Sequence, residues 1–104
     1  MVIYFDLDNF KTINDNHGHI TGDEVLKAVA ERLQQASGSG SEVARLGGDE
    51  FAVYKTLLTS NFNCDSYVNK LLETVNNEIV VNDIHIRLEL SAGYAIAPLS
   101  LIHI

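Results

Sequence analysis

Four acids in this chain are placed where they could do chemistry. Asp6 and Asp8 form a D-x-D at the end of the apolar run VIYFDLDN, and Asp49 and Glu50 are neighbours in ARLGGDEFAV. Carboxylates are hard oxygen ligands, which favour Mg²⁺ or Mn²⁺. Acids that hold such a cation against phosphates are the working parts of nucleotidyl transfer. Taken singly, each motif has a plainer meaning. A D-x-D after a strand is commonly a turn or a helix cap, and G-G-D-E is a hairpin turn. Their weight depends on whether the fold brings them together.

The elements that must do so can be read from periodicity. Residues 2–7 (VIYFDL) are rich in β-branched and aromatic side chains and end at turn formers, which predicts a buried strand. A short helix is expected over 10–17, with Gly18 as its left-handed C-terminal residue. Thr21-Gly-Asp-Glu24 has the capping-box pattern, so a second helix should follow it to Ala36, with Val25, Leu26, Val29, Ala30 and Leu33 on its apolar side. The SGSGS stretch 37–41 reads as a short flexible connection. Residues 42–46 and 51–55 read as strands joined by a Gly47-Gly48 turn.

Asp65 or Ser66 is expected to cap a further helix, with Tyr67, Leu71, Leu72 and Val75 on its apolar face, ending near Asn77. Asn82-Asp83 marks a tight turn. Beyond it Ile84, Ile86, Leu88 and Leu90 alternate with His85, Arg87, Glu89 and Ser91, the pattern of one half-buried strand running into SAGYAIA. The order is β-α-β-β-α-β plus a small hairpin: an α+β, ferredoxin-like antiparallel sheet with helices on one face. In that topology the first and third strands are central, antiparallel neighbours. All four acids should then meet at one sheet edge, where like charges repel unless a cation joins them.

Bulk properties narrow the alternatives. The chain has 104 residues, a formal net charge of −7 and only seven Lys and Arg, which speaks against nucleic acid as a partner. No apolar run reaches the length of a membrane span, and no secretory leader is evident, so no membrane contact is expected from this segment. A single cysteine, Cys64, permits neither an internal disulfide nor a zinc site. It reads as a small polar-loop residue in a cytoplasmic protein, although segments elsewhere in the parent could anchor it. DLDNFKTINDNH does not fit a calcium loop, since His17 stands where the bidentate Glu belongs. His17 and His19 flank a glycine turn and read as structural, and His85 and His103 have no partner pattern.

Three stretches, FDLDNFKTINDNHGHITGDEVL, ARLGGDEFAV and LSAGYAIAP, resemble in order and spacing the GGDEF domain of diguanylate cyclases. That family has a nucleotidyl cyclase, polymerase palm-like fold and condenses two GTP into cyclic di-GMP. The resemblance implies that Asp6, the carbonyl of Leu7 and Asp49 hold Mg²⁺ or Mn²⁺, and that Asp49 and Glu50 are the catalytic acids. It implies that the main chain of Asn9, Phe10 and Lys11, with the Lys11 ammonium, cradles the β- and γ-phosphates. Asn14 and Asp23 correspond to the pair that reads guanine, and Leu26 to an apolar wall of that pocket. A carboxylate accepting from guanine N1 and N2 discriminates against adenine, which offers no donors there. Gly47 and Gly48 would let the nucleotide approach the backbone closely. A homodimer is implied, because each subunit holds one GTP.

Departures from the family pattern carry expectations of their own. The family's helical segment before the first strand is absent, as are the later helix and strand whose Lys and Arg reach the phosphates. Residues 1–98 therefore correspond to an incomplete domain core, and the tail 99–104 (LSLIHI) matches nothing in the family. Gly38 and Ser41 stand where the product-inhibition R-x-x-D has its Arg and Asp, so feedback there is not expected. A sensor or receiver region is expected upstream in the parent. The competing reading is a non-catalytic GTP-binding or protein-interaction module, or a fragment inactive in isolation.

Overall fold

The computed structural model describes residues 1–57 and 61–96. Its elements are β1 (Val2–Leu7), α1 (Phe10–His17), α2 (His19–Ser37), β2 (Ser41–Gly47), β3 (Glu50–Lys55), α3 (Cys64–Val75), β4 (Glu78–Val81), β5 (Ile84–Arg87) and β6 (Leu90–Ala95). Four strands form an antiparallel sheet in the order β2-β3-β1-β6, and β4 and β5 pair separately as a two-stranded hairpin. This is the expected α+β topology, with β1 and β3 in the centre. The expected tail, 99–104, lies outside the described residues.

Alternation in β1 sends Ile3, Phe5 and Leu7 inward and leaves Tyr4 and Asp6 exposed, as a half-buried strand requires. Phe51 and Val53 of β3 join the same core. Val25, Val29 and Leu33 of α2 and Val68, Leu71 and Val75 of α3 complete it, so both helices pack on one face of the sheet. Burying each of these side chains contributes about 1.5–3 kcal/mol, which makes the sheet a firm base for the loops at its edge.

Several local expectations are corrected. The α2 helix begins at His19, after Gly18, which has φ 88° and ψ 164° and is thus not left-handed helical. Thr21 lies inside the first turn, buried, and caps nothing. Ser37 closes α2 and Ser41 opens β2, so the flexible connection shrinks to residues 38–40. At α3 the cap is Asn63, whose side chain accepts from the Ser66 amide at 3.0 Å; neither Asp65 nor Ser66 serves. Cys64 is a buried helix residue and not a loop residue.

The alternating run after Asn82-Asp83 is two strands, β5 and β6, which belong to different sheets and break at residues 88 and 89. Both turn residues have positive φ, 50° and 65°, matching the tight hairpin expected there. The start of this hairpin is fixed by Arg32 of α2, whose guanidinium donates to the carbonyls of Val75, Asn77 and Glu78 at 3.5, 3.2 and 3.3 Å. Its two ends meet where the Leu88 amide donates to the Asn77 carbonyl at 3.3 Å. Among the described residues, no helix is long and apolar enough to cross a membrane.

Candidate active site at the edge of β1 and β3

The antiparallel register of β1 and β3 sets Asp6 directly opposite Glu50, on the solvent side of the sheet. Side chains so placed have Cβ atoms about 4.5–5.5 Å apart, and two like charges there destabilise the sheet. One residue earlier, the Asp49 carbonyl accepts from the Leu7 amide at 3.1 Å, fastening the β2-β3 turn to the end of β1. The sequence-predicted residues Asp6, Leu7, Asp49 and Glu50 are therefore adjacent. Leu7 has its side chain fully buried, so only its main chain faces the site.

The gathering is narrower than four acids. Asp8 is turned to β6, where its Oδ2 accepts from Ser91 Oγ at 2.6 Å. Among the described residues, no group of three or more Asp, Glu, His or Cys side chains lies close enough to hold a metal on its own. A hard cation is still suited by what remains. Mg²⁺ in phosphate chemistry usually takes one or two protein carboxylates and fills its other positions with water and substrate oxygens. Asp6 and Glu50, with Ser91, are the polar side chains in a cavity of about 400 Å³ that is otherwise walled by Tyr4, Phe5, Leu46 and Phe51, and two carboxylates there fit such a cation.

The turn itself is displaced by one residue from the expected Gly47-Gly48. Leu46 bulges between the paired residues Arg45 and Gly47, so Gly47 pairs with Glu50 and the turn residues are Gly48 and Asp49. Gly47 and Gly48 have φ 145° and 48°, backbone that other residues seldom adopt, and open space lies where a Cβ would point. Arg45, which sequence reading passed over, donates from Nε to the Gly48 carbonyl at 3.1 Å and stiffens the turn.

Next to the turn, Asp23, Leu26, Lys27, Ala30, Arg45 and Phe51 line a groove of about 350 Å³. Two of its walls, Asp23 and Leu26, are residues the sequence assigned to a base pocket. Asn14 approaches from α1. Its Oδ1 occupies the space over Gly22 that a Cβ would fill, with the Phe10 ring 3.4 Å from the same point. Glycine inside a helix costs about 0.5–1 kcal/mol relative to Ala, and here it admits the Asn14 side chain. The Asn14 Oδ1 is buried and has no hydrogen-bond partner among the described residues. Gly22 has no motif of its own, and only its neighbours Asn14 and Asp23 hint at its role.

Asn9, Phe10 and Lys11 open α1. Asn9 is the N-cap residue by position, yet its side chain makes no capping bond; its Nδ2 donates instead to the Arg87 carbonyl at 3.0 Å. The first-turn amides of α1 thus lack a side-chain partner and lie beside the exposed Lys11, an arrangement suited to an anion.

A palm-like sheet with acids at the junction of its two central strands and a groove beside them is the architecture of nucleotidyl cyclase domains. Residues 1–101 match the family described as "Diguanylate cyclase, GGDEF domain". The chain belongs to the GGDEF family. It is 39% identical over 84 residues, 81% of its length, to diguanylate cyclase DgcP of Escherichia coli, of which this stretch is 24%. It is 34% identical over 97 residues, 93% of its length, to the cyclic di-GMP phosphodiesterase NbdA of Pseudomonas aeruginosa, covering 12% of that protein. The crystal structure of the GGDEF domain of YfiN (TpbB) from Pseudomonas aeruginosa superposes with a TM-score of 0.78 at 36% identity, over 88% of this chain and 58% of that one. The chain thus spans a quarter or less of these two curated relatives.

Proposed function

We propose that this domain is a diguanylate cyclase, the activity for which DgcP is named, and condenses two GTP into cyclic di-GMP with release of pyrophosphate. The observation that carries the reading is the register that sets Asp6 opposite Glu50 while Asp49 is bonded to Leu7. Two motifs more than forty residues apart in sequence thereby share one edge.

Each residue then has a task. Asp6, Asp49 and the Leu7 carbonyl would hold Mg²⁺ or Mn²⁺, which when bound supplies positive charge against the triphosphate. The amides at the start of α1 and the Lys11 ammonium receive the β- and γ-phosphates. Asp23 accepts from guanine N1 and N2, Asn14 completes the pair that reads the base, and Leu26 flanks it. Glu50 lies near the attacking hydroxyl. The ribose 3′-oxygen forms a bond to the α-phosphorus of the other GTP, the bond to pyrophosphate breaks, and the hydroxyl proton leaves. A second such step closes the ring. Both nucleotides must face each other, so a two-fold homodimer is part of the proposal, with the domain in the cytoplasm and a sensor or receiver elsewhere in the parent.

NbdA favours a second reading, because a relative matching nearly the whole chain is named for the opposite activity. In that case the domain binds GTP, or a partner protein, without turnover. The protein that carries this chain, incubated with GTP and Mg²⁺, should yield cyclic di-GMP, and Glu50→Ala should abolish it. GTP binding without product would establish the second reading instead.

A further inference from the structure

The turn between β1 and α1 is held from one side by one backbone and two side-chain ties. The Asp8 amide donates to the Glu89 carbonyl at 2.8 Å, Asn9 Nδ2 donates to the Arg87 carbonyl at 3.0 Å, and Ser91 Oγ donates to Asp8 Oδ2 at 2.6 Å. Residues 87, 89 and 91 alternate along the extended chain where β5 passes into β6. They therefore present themselves to the turn on one side. The Asp8–Glu89 bond continues the β1-β6 ladder, whereas the two side-chain ties, from Asn9 and from the exposed Ser91, lie outside both the ladder and the core.

The ties have a chemical effect. A free Asn at the start of a helix ordinarily folds its side-chain oxygen back onto an amide two or three residues on. Here the Asn9 amide group is drawn to Arg87, its Oδ1 is left buried without a partner among the described residues, and α1 has no side-chain cap. The first-turn N–H groups stay open. Asp8 Oδ2 is likewise engaged, by the Ser91 hydroxyl, and Ser91 is the residue paired with Asp6 across β1 and β6.

We propose that Asp8 and Ser91, together with Asn9, are positioning residues that keep the β1-α1 turn in its anion-receiving shape, with Asp8 acting through Ser91 and not as a metal ligand. The proposal rests on the cyclase reading for the identity of the anion, the GTP triphosphate. It differs from that reading in making the 87–91 segment a determinant of affinity.

Binding of 3′-deoxy-GTP, which lacks the attacking hydroxyl, is measured by calorimetry in Mg²⁺ on the protein that carries this chain. Ser91→Ala and Asp8→Ala should each weaken binding by roughly tenfold, the scale of one charge-assisted hydrogen bond. The double substitution should be no worse than either alone. Ser91→Thr and Asp8→Asn, which keep the hydroxyl and the acceptor, should restore affinity to within about threefold, and Asp8→Asn should leave the Mg²⁺ midpoint in place. Additive losses would overturn the proposal, as would an Asp8→Asn protein as weak as Asp8→Ala with a raised Mg²⁺ midpoint. Amide exchange gives a readout without nucleotide: Phe10, Lys11 and Thr12 should exchange faster in Ser91→Ala. If the unsubstituted protein binds no 3′-deoxy-GTP, the cyclase reading fails, and unchanged exchange in Ser91→Ala would sink the tie as well.

Discussion

Three asparagines divide the molecule into two kinds of region. At the junction of α3 and β6, Asn76 uses its whole amide: Nδ2 donates to the Leu90 carbonyl at 3.2 Å and Oδ1 accepts from the Leu90 amide at 2.9 Å. Beside the edge of β1 and β3, Asn9 and Asn14 each bury an oxygen that meets no donor among the described residues. An unsatisfied buried acceptor costs about 1–3 kcal/mol, so the second region carries a penalty that the first avoids. The same contrast appears in the charges. Arg32 is matched to three carbonyls, while Asp6 faces Glu50 across the sheet. One region has its polar groups matched within the chain, and the other keeps unmatched acceptors and facing acids.

Substitutions can break this contrast. The largest effect is expected from Asp6→Asn, which should lower cyclic di-GMP formation by about 100-fold or more, because several kcal/mol of charge stabilisation are lost. Its melting temperature should hold or rise, since a repulsion is relieved. A clear fall in stability would mean that Asp6 belongs to the packed region. Asn76→Ala should do the reverse, costing about 2 kcal/mol in denaturant unfolding with GTP affinity unchanged. Asn14→Ala should hold or raise stability, since a buried unmatched acceptor is removed, while weakening binding of a non-reacting GTP analogue by roughly tenfold. Smallest of all, Glu24→Ala removes an exposed contact to Lys27 at 3.3 Å and should change stability by less than about 0.5 kcal/mol.

Much of the fold was legible because its signals are local and repeated. β1, α1, β3 and the Asn82-Asp83 turn follow from alternation, spacing and turn chemistry. The topology that their order implies already sets Asp6 beside Glu50, and the β1-β3 register agrees. What escaped has identifiable causes. Thr21 and Glu24 have the letters of a capping box, but Gly18 lets the helix begin earlier, and Thr21 is needed in the core. Ile84, Ile86, Leu88 and Leu90 keep one period through the break between β5 and β6, because alternation records which face is buried and not which strand is the neighbour. The bulge at Leu46 moved the turn by one residue, a shift no residue type announces. Asp8 looked like a fourth metal-site acid, since nothing in the sequence reveals a serine 83 positions away that engages it.

The β4-β5 hairpin has one further consequence, for engineering. Its tip, Asn82-Asp83, is exposed, and the flanking Val81 and Ile84 remain paired, so chain entering and leaving there does so at neighbouring points. A foreign domain with adjacent termini could be spliced into that tip without pulling the strands apart. Because β5 runs straight into the segment that holds Asp8 and Asn9, a fluorescent reporter inserted there would sit one short strand from the β1-α1 turn and would serve as an optical gauge of changes at that turn.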